Sequence, residues 1–529
     1  VLNAVPGIRM EERSPASYRL SVRGSLLRSP FGVRNVKVYW NDLPLTDGGG
    51  NTYLNLVDMG QLTSAEVLKG PVASMYGAGT GGVLLLQSYL PFSTLKTNQY
   101  DFSLSGGSYG LFGQQAGWQY SDNRFTSSLQ QSHVQSDGYR QQSASRKDVL
   151  QWHGSLRLQH QQFRFLAFYS DLYYQTPGGI TQAQMMQNPK LSRQPAGPIP
   201  GSVQQKAAIY NKTFFAGIHH QLVLNDQLDL RTFLTGNKTR FTNPFITNYE
   251  KRAEENIGSG MQLVYRTSNM QHALQWVNGA EWLYNHSEID DYGNRSGVQD
   301  TVQFRDNIYA SQWFAFSQAA YTYAGRLRIT AGLSLNNQSY RYRRISDPAG
   351  VSVSKKINAV ATPRFAMLYS LKRQVSLYVT VSKGFSPPSL AEVRPSDGNY
   401  YGDLQAEEGW NYEAGIKGFL FGQRLQFDVA AYSFSLKNAI VRRNNSVGAE
   451  YFVNAGGTIQ KGIEAMVKYR LLKDASRFVR SLDIWNSTSY QPYRFDDYRQ
   501  GTIDYSGNRL TGVPQQIWVS GIDMETKKG

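Results

Sequence analysis

Beyond residue 97 the chain alternates apolar and polar side chains with a period of two. Leu327, Ile329, Ala331, Leu333 and Leu335 alternate with Arg326, Arg328, Thr330, Gly332 and Ser334. Val375, Leu377, Val379 and Val381 alternate with Ser376, Tyr378, Thr380 and Ser382, and Leu425, Phe427, Val429 and Ala431 with Gln426, Asp428 and Ala430. Successive side chains on a strand point to opposite faces, so each run carries one apolar and one wet face. Tight links such as Tyr323-Ala324-Gly325, Leu371-Lys372-Arg373 and Phe421-Gly422-Gln423 alternate with long polar segments at 173–205, 286–305, 342–356, 385–410 and 438–456. Short turns are therefore expected at one end of the sheet and long loops at the other.

An up-and-down antiparallel sheet with an apolar outside and a polar inside is a transmembrane β-barrel, whose closure leaves no edge unpaired in lipid. A soluble propeller would repeat every ~40 to 50 residues, and no such period is present. The expected fold is mainly β: an antiparallel transmembrane barrel over 97–529, with a small α/β domain over 1–92 that lacks the strand rhythm and is punctuated by Gly and Pro.

Composition agrees. Mean hydropathy is −0.46, and no apolar run approaches the roughly 18 to 20 residues of a spanning helix. The 34 Tyr, 25 Phe and 49 Gly suit many strands joined by turns. The absence of Cys excludes disulfides and thiolate metal sites. The formal charge is +16, but its 55 Lys and Arg are scattered singly rather than massed on a basic helix, which argues against nucleic acid and leaves solvated loops or an anionic ligand. The first residue is Val1 with no charged, apolar leader, so a signal peptide is expected to have been removed or not included.

No chemistry emerges from the titratable residues. Gly77-Ala78-Gly79-Thr80-Gly81-Gly82 matches a dinucleotide fingerprint but lacks the preceding strand and following helix, so its glycines are expected to serve a turn and close packing. His219 and His220 fall on opposite strand faces and cannot clamp one metal. The pairs Asp290-Asp291 and Asp496-Asp497 lie in polar sequence with no nucleophile nearby and read as solvated loops. No cofactor, metal site or enzyme activity is expected.

Several segments of the N-terminal region resemble, in order, the plug of TonB-dependent outer-membrane receptors. They are Val5-Pro6-Gly7-Ile8, Leu20-Ser21-Val22-Arg23-Gly24, 36–45 ending Asn41-Asp42-Leu43-Pro44-Leu45, Glu66-Val67-Leu68-Lys69-Gly70-Pro71, Met75-Tyr76-Gly77 and Gly81-Gly82. The rest adds Ser136-Asp137-Gly138-Tyr139-Arg140, Lys383-Gly384-Phe385-Ser386-Pro387-Pro388, Asn411-Tyr412-Glu413-Ala414-Gly415-Ile416-Lys417, Asn454-Ala455-Gly456-Gly457 and Gly462-Ile463-Glu464. The resemblance implies a plug inside a barrel of about 22 strands, in the bacterial outer membrane, with ligand bound between plug apices and outer loops. It also implies energy from a TonB-type protein of the inner membrane. In similar receptors a plug Arg and a cation before the Gly-Pro motif pair with two barrel glutamates, which corresponds to Arg23, Lys69, Glu413 and Glu464. Lys69 replaces the more usual Arg and cannot form the bidentate fork, so its contact is expected to be looser.

Ligand contacts are expected at the long-loop end: Thr46, Asp47 and Asn51 from the plug, Arg193, Tyr400, Tyr401, Arg442 and Arg443 from the loops. Arg recognises carboxylates and Tyr offers an apolar face with a polar tip. The segment Tyr174-Gln175-Thr176-Pro177-Gly178-Gly179-Ile180-Thr181 is similar to a loop of ferric-citrate and siderophore receptors, implying a ferric chelate as cargo. Cobalamin, heme, copper and oligosaccharides remain alternatives, as do a passive porin and a non-transporting adhesin. Against the family pattern, the chain is expected to begin inside the plug, without the partner-binding box, and to stop about four to six strands short of the ~22-strand barrel.

Overall fold

The computed structural model describes residues 2–12, 16–28, 32–445, 448–474 and 478–527. Its strands turn the usual polarity of a protein inside out. On Leu327–Arg344, Leu333 and Leu335 are exposed while Ser334 and Asn336 are buried, and on Val375–Ser386, Leu377 and Val379 are exposed while Ser382 is buried. An apolar face turned outward is stable only against hydrocarbon, and the polar inner face needs a hydrated or hydrogen-bonded filling.

Among the described residues nineteen strands form the barrel sheet, from Thr97–Gly107 to Gln516–Thr526 and including the two-residue Arg494–Phe495. Long neighbours pair antiparallel in chain order. The ring order places Gln516–Thr526 next to Thr97–Gly107, though no residue-by-residue ladder joins these two strands among the described residues. Tyr100, Phe102, Trp518 and Ile522 on them are strongly exposed. The short turns use left-handed backbone, as at Ala324 (φ 49°) and Gly325 (φ 65°). Outward aromatics gather near both ends of the apolar band: Tyr321, Tyr323, Tyr369 and Phe421 by the short turns, Phe214, Trp282 and Trp313 towards the loops. Such girdles mark bilayer interfaces. No described helix is long and apolar enough to cross a membrane.

Two of the expected loops are corrected by the structure. Residues 286–305 are a continuation of the ladder: His272–Arg295 and Val298–Tyr323, 24 and 26 residues long, form one hairpin turning at Ser296 and Gly297. Residues 342–356 are strand at both ends, since Leu327–Arg344 and Val353–Lys372 leave only a short connection. Above the bilayer both faces of a strand are tolerated polar, so the alternation fades while pairing continues, as at Asp290 opposite Arg305. In the segment 438–456, Ile440–Asn444 pairs with Glu450–Asn454, and Ser446 and Val447 lie outside the described residues.

Residues 2–87 fill the barrel. Strands β1 (Ile8–Glu12) and β2 (Tyr18–Val22) form a hairpin. β3 (Val36–Trp40), β4 (Leu43–Pro44), β5 (Ser64–Lys69) and β6 (Gly82–Gln87) form a sheet of order β4-β3-β6-β5, with the short helix α1 (Ala73–Tyr76) between the last two. Leu20, Val38, Trp40, Leu43, Leu84 and Leu86 make its core, which continues onto Leu166, Phe168, Leu172 and Phe215 of the wall. The glycine run serves packing, as expected. A Cβ on Gly82 (φ 127°) would collide with the Leu68 carbonyl oxygen, and one on Gly77 (φ 71°) with the Phe314 ring on the wall.

Candidate functional site

The plug meets the wall through charged side chains. Arg23 follows β2 with φ 48°, and its backbone N–H donates to the Gly7 carbonyl at 2.8 Å. This bend aims the guanidinium at two barrel strands, Glu407–Leu420 and Gly457–Lys473. Its Nε and Nη2 donate to the two oxygens of Glu464 at 2.9 and 3.1 Å, its Nη1 donates to Glu413 at 2.7 Å, and its plane lies 3.8 Å from the Tyr432 ring centroid. Lys69, at the end of β5, donates to the same Glu464 and to the Pro6 carbonyl at 3.2 Å. The four residues expected to pair thus come together, with both cations on Glu464 and only Arg23 on Glu413. Glu464 occupies the place a Gly7 side chain would take. Arg23 and Glu464 are buried, and Lys69 is 24 % exposed.

Three further groups of ion pairs were not foreseen. Arg28, just after β2, is 2 % exposed; its Nε and Nη2 grip Glu392 at 2.9 and 2.7 Å, and its Nη1 reaches Glu407 at 2.9 Å and Ser386 Oγ at 2.8 Å. Glu392 lies in the helix α3, which comes third after α1 and α2 (Gln182–Gln187) and spans Leu390–Val393 of the loop 387–406. It also accepts from the Ser389 N–H at 2.6 Å. Arg34 reaches Glu392 from the plug at 3.5 Å. Next, Arg394 of the same loop pairs with Asp291 and Asp306, each at 2.7 Å, and all three are buried. Asp291 is therefore no solvated loop residue: the strand continues through it and turns it inward, while neighbouring Asp290 faces out towards Arg305 at 3.8 Å. Finally, Lys37 and Tyr39 of β3 both donate to Glu281 on the far wall, at 3.1 and 3.0 Å. Unpaired, such groups would be strongly destabilising at this depth. Ser389-Leu390-Ala391-Glu392 has the form of a helix capping signal, the one available hint to Glu392; nothing local marks Arg28, Arg394 or Lys37.

The loop 387–406 lies on the plug apex. Leu390 N–H donates to the Gly49 carbonyl at 2.7 Å, and Gln338 reaches the Gly48 carbonyl at 3.0 Å. Of the expected ligand residues, Thr46 is turned into the plug, where its hydroxyl accepts from the Val38 N–H at 2.9 Å and bonds Thr52. Asp47 caps its own turn, accepting from Gly49 and Asn51 N–H at 2.9 and 3.0 Å. Asn51 is half-buried beside it. The loops gather Tyr400, Tyr401, Arg442 and Arg443. Tyr400 stacks on Tyr342 at 4.5 Å, Tyr401 on Tyr451 at 6.0 Å, Arg442 pairs with Glu450 at 2.6 Å, and Arg443 lies 5.9 Å from the Tyr498 ring centroid. Arg193 belongs to another loop, its N–H donating to the Pro177 carbonyl.

The Asp47 carboxyl is pushed up to about 7, first by burial and next by the negative charge of Glu254, against the pull of its two backbone donors. A carboxyl that keeps its proton above its ordinary value in the folded loop makes that loop lose stability as pH rises from about 4 to about 7, with no further loss above. Asp47→Asn should abolish this fall. Hydrogen exchange over 46–52, corrected for intrinsic rates, should then give equal protection at about pH 5 and about pH 8; a wild-type loop already equal at both would refute the assignment.

A barrel whose bore is occupied by a separate sheet domain, fastened to the wall by ion pairs and covered by an outer loop, is a gated receptor of the outer-membrane type. The chain belongs to the TonB-dependent receptors. The model of the TonB-dependent receptor-like β-barrel matches residues 88–524 and that of the TonB-dependent receptor plug domain matches residues 1–83. Members of this family are outer-membrane proteins. The metal-pseudopaline receptor CntO of Pseudomonas aeruginosa is 28 % identical over 180 residues, which is 34 % of this chain and 22 % of that receptor, so the match spans about a fifth of the curated relative. Similar solved structures include the unliganded ferric citrate transporter FecA (TM-score 0.79, 16 % identity, 99 % of this chain and 78 % of that one). The ferric yersiniabactin uptake receptor FyuA from Yersinia pestis (0.75, 15 %, 98 % and 79 %) and the copper transporter OprC (0.72, 14 %, 92 % and 74 %) are similar too. At these identities the likeness is one of fold.

Proposed function

We propose that this receptor imports an anionic ferric chelate across the outer membrane, driven by a TonB-type partner of the inner membrane. The observation that carries the reading is that, beyond the chain's own continuation through residues 88–96, the plug is fastened to the wall by reversible ion pairs, Arg23 and Lys69 on Glu464, Arg28 on Glu392 and Glu407, and Lys37 on Glu281. Buried ion pairs hold a part firmly while all partners are present and weakly once one is drawn away, which suits a plug moved by force. In this reading Arg23, Lys69, Glu413 and Glu464 are the latch. Tyr400, Tyr401, Arg442 and Arg443 are the loop contacts to ligand, with Asp47 and Asn51 beneath them and Arg193 closing from its own loop. The ferric citrate of FecA and the ferric yersiniabactin of FyuA, together with the net positive charge, favour a ferric chelate.

Tryptophan fluorescence of the purified receptor, titrated with ferric citrate and a panel of ferric siderophores, cupric ion, heme and cobalamin, tests the cargo. Saturable quenching by a ferric chelate, with uptake into iron-starved cells that stops on adding a proton uncoupler, is the expected result. A receptor that bound cobalamin or copper and ignored every ferric chelate would sink it.

A further inference from the structure

Inward-facing cations are handled differently on two sides of the bore. On the strands Gly457–Lys473, Val479–Tyr490 and Gln516–Thr526, wall carboxylates cancel them: Lys468 pairs with Asp483 at 2.9 Å and Asp523 at 3.2 Å, and Arg470 with Asp483 at 2.7 Å. On the side running from Gln161–Gln175 to Val353–Lys372, the inward positions carry Arg164, Arg231, Arg266, Arg328 and Arg364. Strand parity sets their direction, because Leu166, Asp229, Val264, Ser334 and Thr362 at even spacing from them are buried against the filling. Arg164 meets Asp42 of the plug at 3.3 Å and Arg266 meets Asp229. Among the described residues Arg231, Arg328 and Arg364 have no carboxylate at ion-pair distance, although Asp229 and Asp42 attract Arg231 and Glu413 attracts Arg364 from further off, and the Nε atoms of Arg231 and Arg364 are buried with no acceptor. A buried donor left so is costly, which a structural role does not explain and a passing acceptor relieves.

At the foot of this strip, on the inner face near the short turns, lies an open cavity of about 450 Å³. Arg266, Arg328, Gln275, Thr322 and Ser268 line it, with Asp226 at its edge. That volume suits a small-molecule ligand. A row of cations along a low-dielectric wall concentrates anions, by factors on the order of ten or more.

We propose that this arginine strip, from Arg164 to Arg364, is the exit lane of the bore and holds an anionic cargo in the cavity above the short turns before release. The proposal rests on the import reading and narrows the cargo to a polyanion. The same side also touches the plug, at Glu281 with Lys37 and at Arg164 with Asp42, so the lane runs beside these contacts and away from Glu464.

The chain has no cysteine, so Thr322→Cys places a lone thiol in the cavity of the intact receptor. Its modification rate by 2-sulfonatoethyl methanethiosulfonate is divided by that of the cationic 2-trimethylammonioethyl reagent, each relative to free mercaptoethanol. Any change in thiolate fraction cancels in this ratio. The expected ratio is on the order of ten, falling several-fold when Arg328→Gln, an exposed position, is added. A ratio at or below one, or one that Arg328→Gln leaves unmoved, overturns the strip. In cells, Arg231→Gln with Arg364→Gln should slow uptake of labelled ferric citrate several-fold while its surface binding stays the same; unaltered uptake in that variant also overturns the lane. A parent receptor that neither binds nor imports any ferric chelate would defeat the import reading instead, and the reagent ratio would still decide whether the bore draws anions.

Discussion

Glu464→Ala is expected to release the plug far more than Glu413→Ala or Lys69→Ala. Glu464 accepts the bidentate fork of Arg23 and the ammonium of Lys69, so its removal strands two cations between plug and wall. Breaking a buried pair from one side costs about 3 to 5 kcal/mol, which raises the population of loosened plug by about 10²- to 4 × 10³-fold. Glu413→Ala leaves the Arg23 fork intact and removes one hydrogen bond, together with an acceptor for Tyr378, for about 1.5 to 3 kcal/mol. Lys69→Ala leaves the fork untouched. In planar bilayers and in cells challenged with a bulky antibiotic, leak should rank Glu464→Ala well above Glu413→Ala, with Lys69→Ala near wild type. Limited proteolysis within the plug should follow the same order. Equal leak from all three would refute the convergence on Glu464, and none from Glu464→Ala would show that the plug is held without the latch.

The second large effect is expected from Arg28→Ala. Arg28 ties three bodies together: the plug that carries it, the strand Glu407–Leu420, and the loop 387–406 through Glu392 and the carbonyl of Pro387. Truncation leaves Glu392 with Arg34 at 3.5 Å as its one cation, beside the Ser389 N–H, and leaves Glu407 without its guanidinium. The loop retains Arg394 on Asp291 and Asp306, so it should swing rather than unfold. Amide exchange over 387–393 should accelerate by about two orders of magnitude, the equivalent of about 3 kcal/mol, while 394–398 changes little. Arg28→Lys should restore part of the protection, since Lys supplies charge without the fork. Unchanged exchange in Arg28→Ala would mean that Leu390 on Gly49 suffices to seat the loop.

The barrel was legible because lipid enforces a period of two with inverted polarity, and Leu333 and Leu335 display it without help from distant sequence. The limits of the strands were less so. Residues 286–305 read as a loop because, outside the bilayer, nothing demands an apolar face and hydrogen bonding between backbones is indifferent to side-chain polarity. The same blindness hid Asp291. Two adjacent acids look alike in sequence, yet a continued strand turns one to water and the other to Arg394, 103 residues away. The pairing of Arg23 and Lys69 with Glu413 and Glu464 came from resemblance, not from periodicity, and the geometry adds what resemblance did not: both cations converge on one carboxylate. Arg28, with partners 364 and 379 residues distant, carries no local mark at all. Among the plug's ligand candidates, Thr46 looked free because its hydroxyl's partner, the Val38 amide, lies back in β3, on the far side of a turn that sequence does not draw.

The hairpin of 24 and 26 residues has a consequence for life at the cell surface. At ~3.3 Å per residue its longer arm runs roughly 85 Å, and a tilt of about 40° still leaves it standing some 40 Å above an apolar band of ~25 Å. Its tip does not stand alone: Asn294 donates to the carbonyls of Gln205 and Phe245, and the Ser296 N–H donates to the Gln205 side chain. The hairpin and its neighbours thus form a shared wall on that flank, which holds the sugar chains of the outer leaflet back from the mouth.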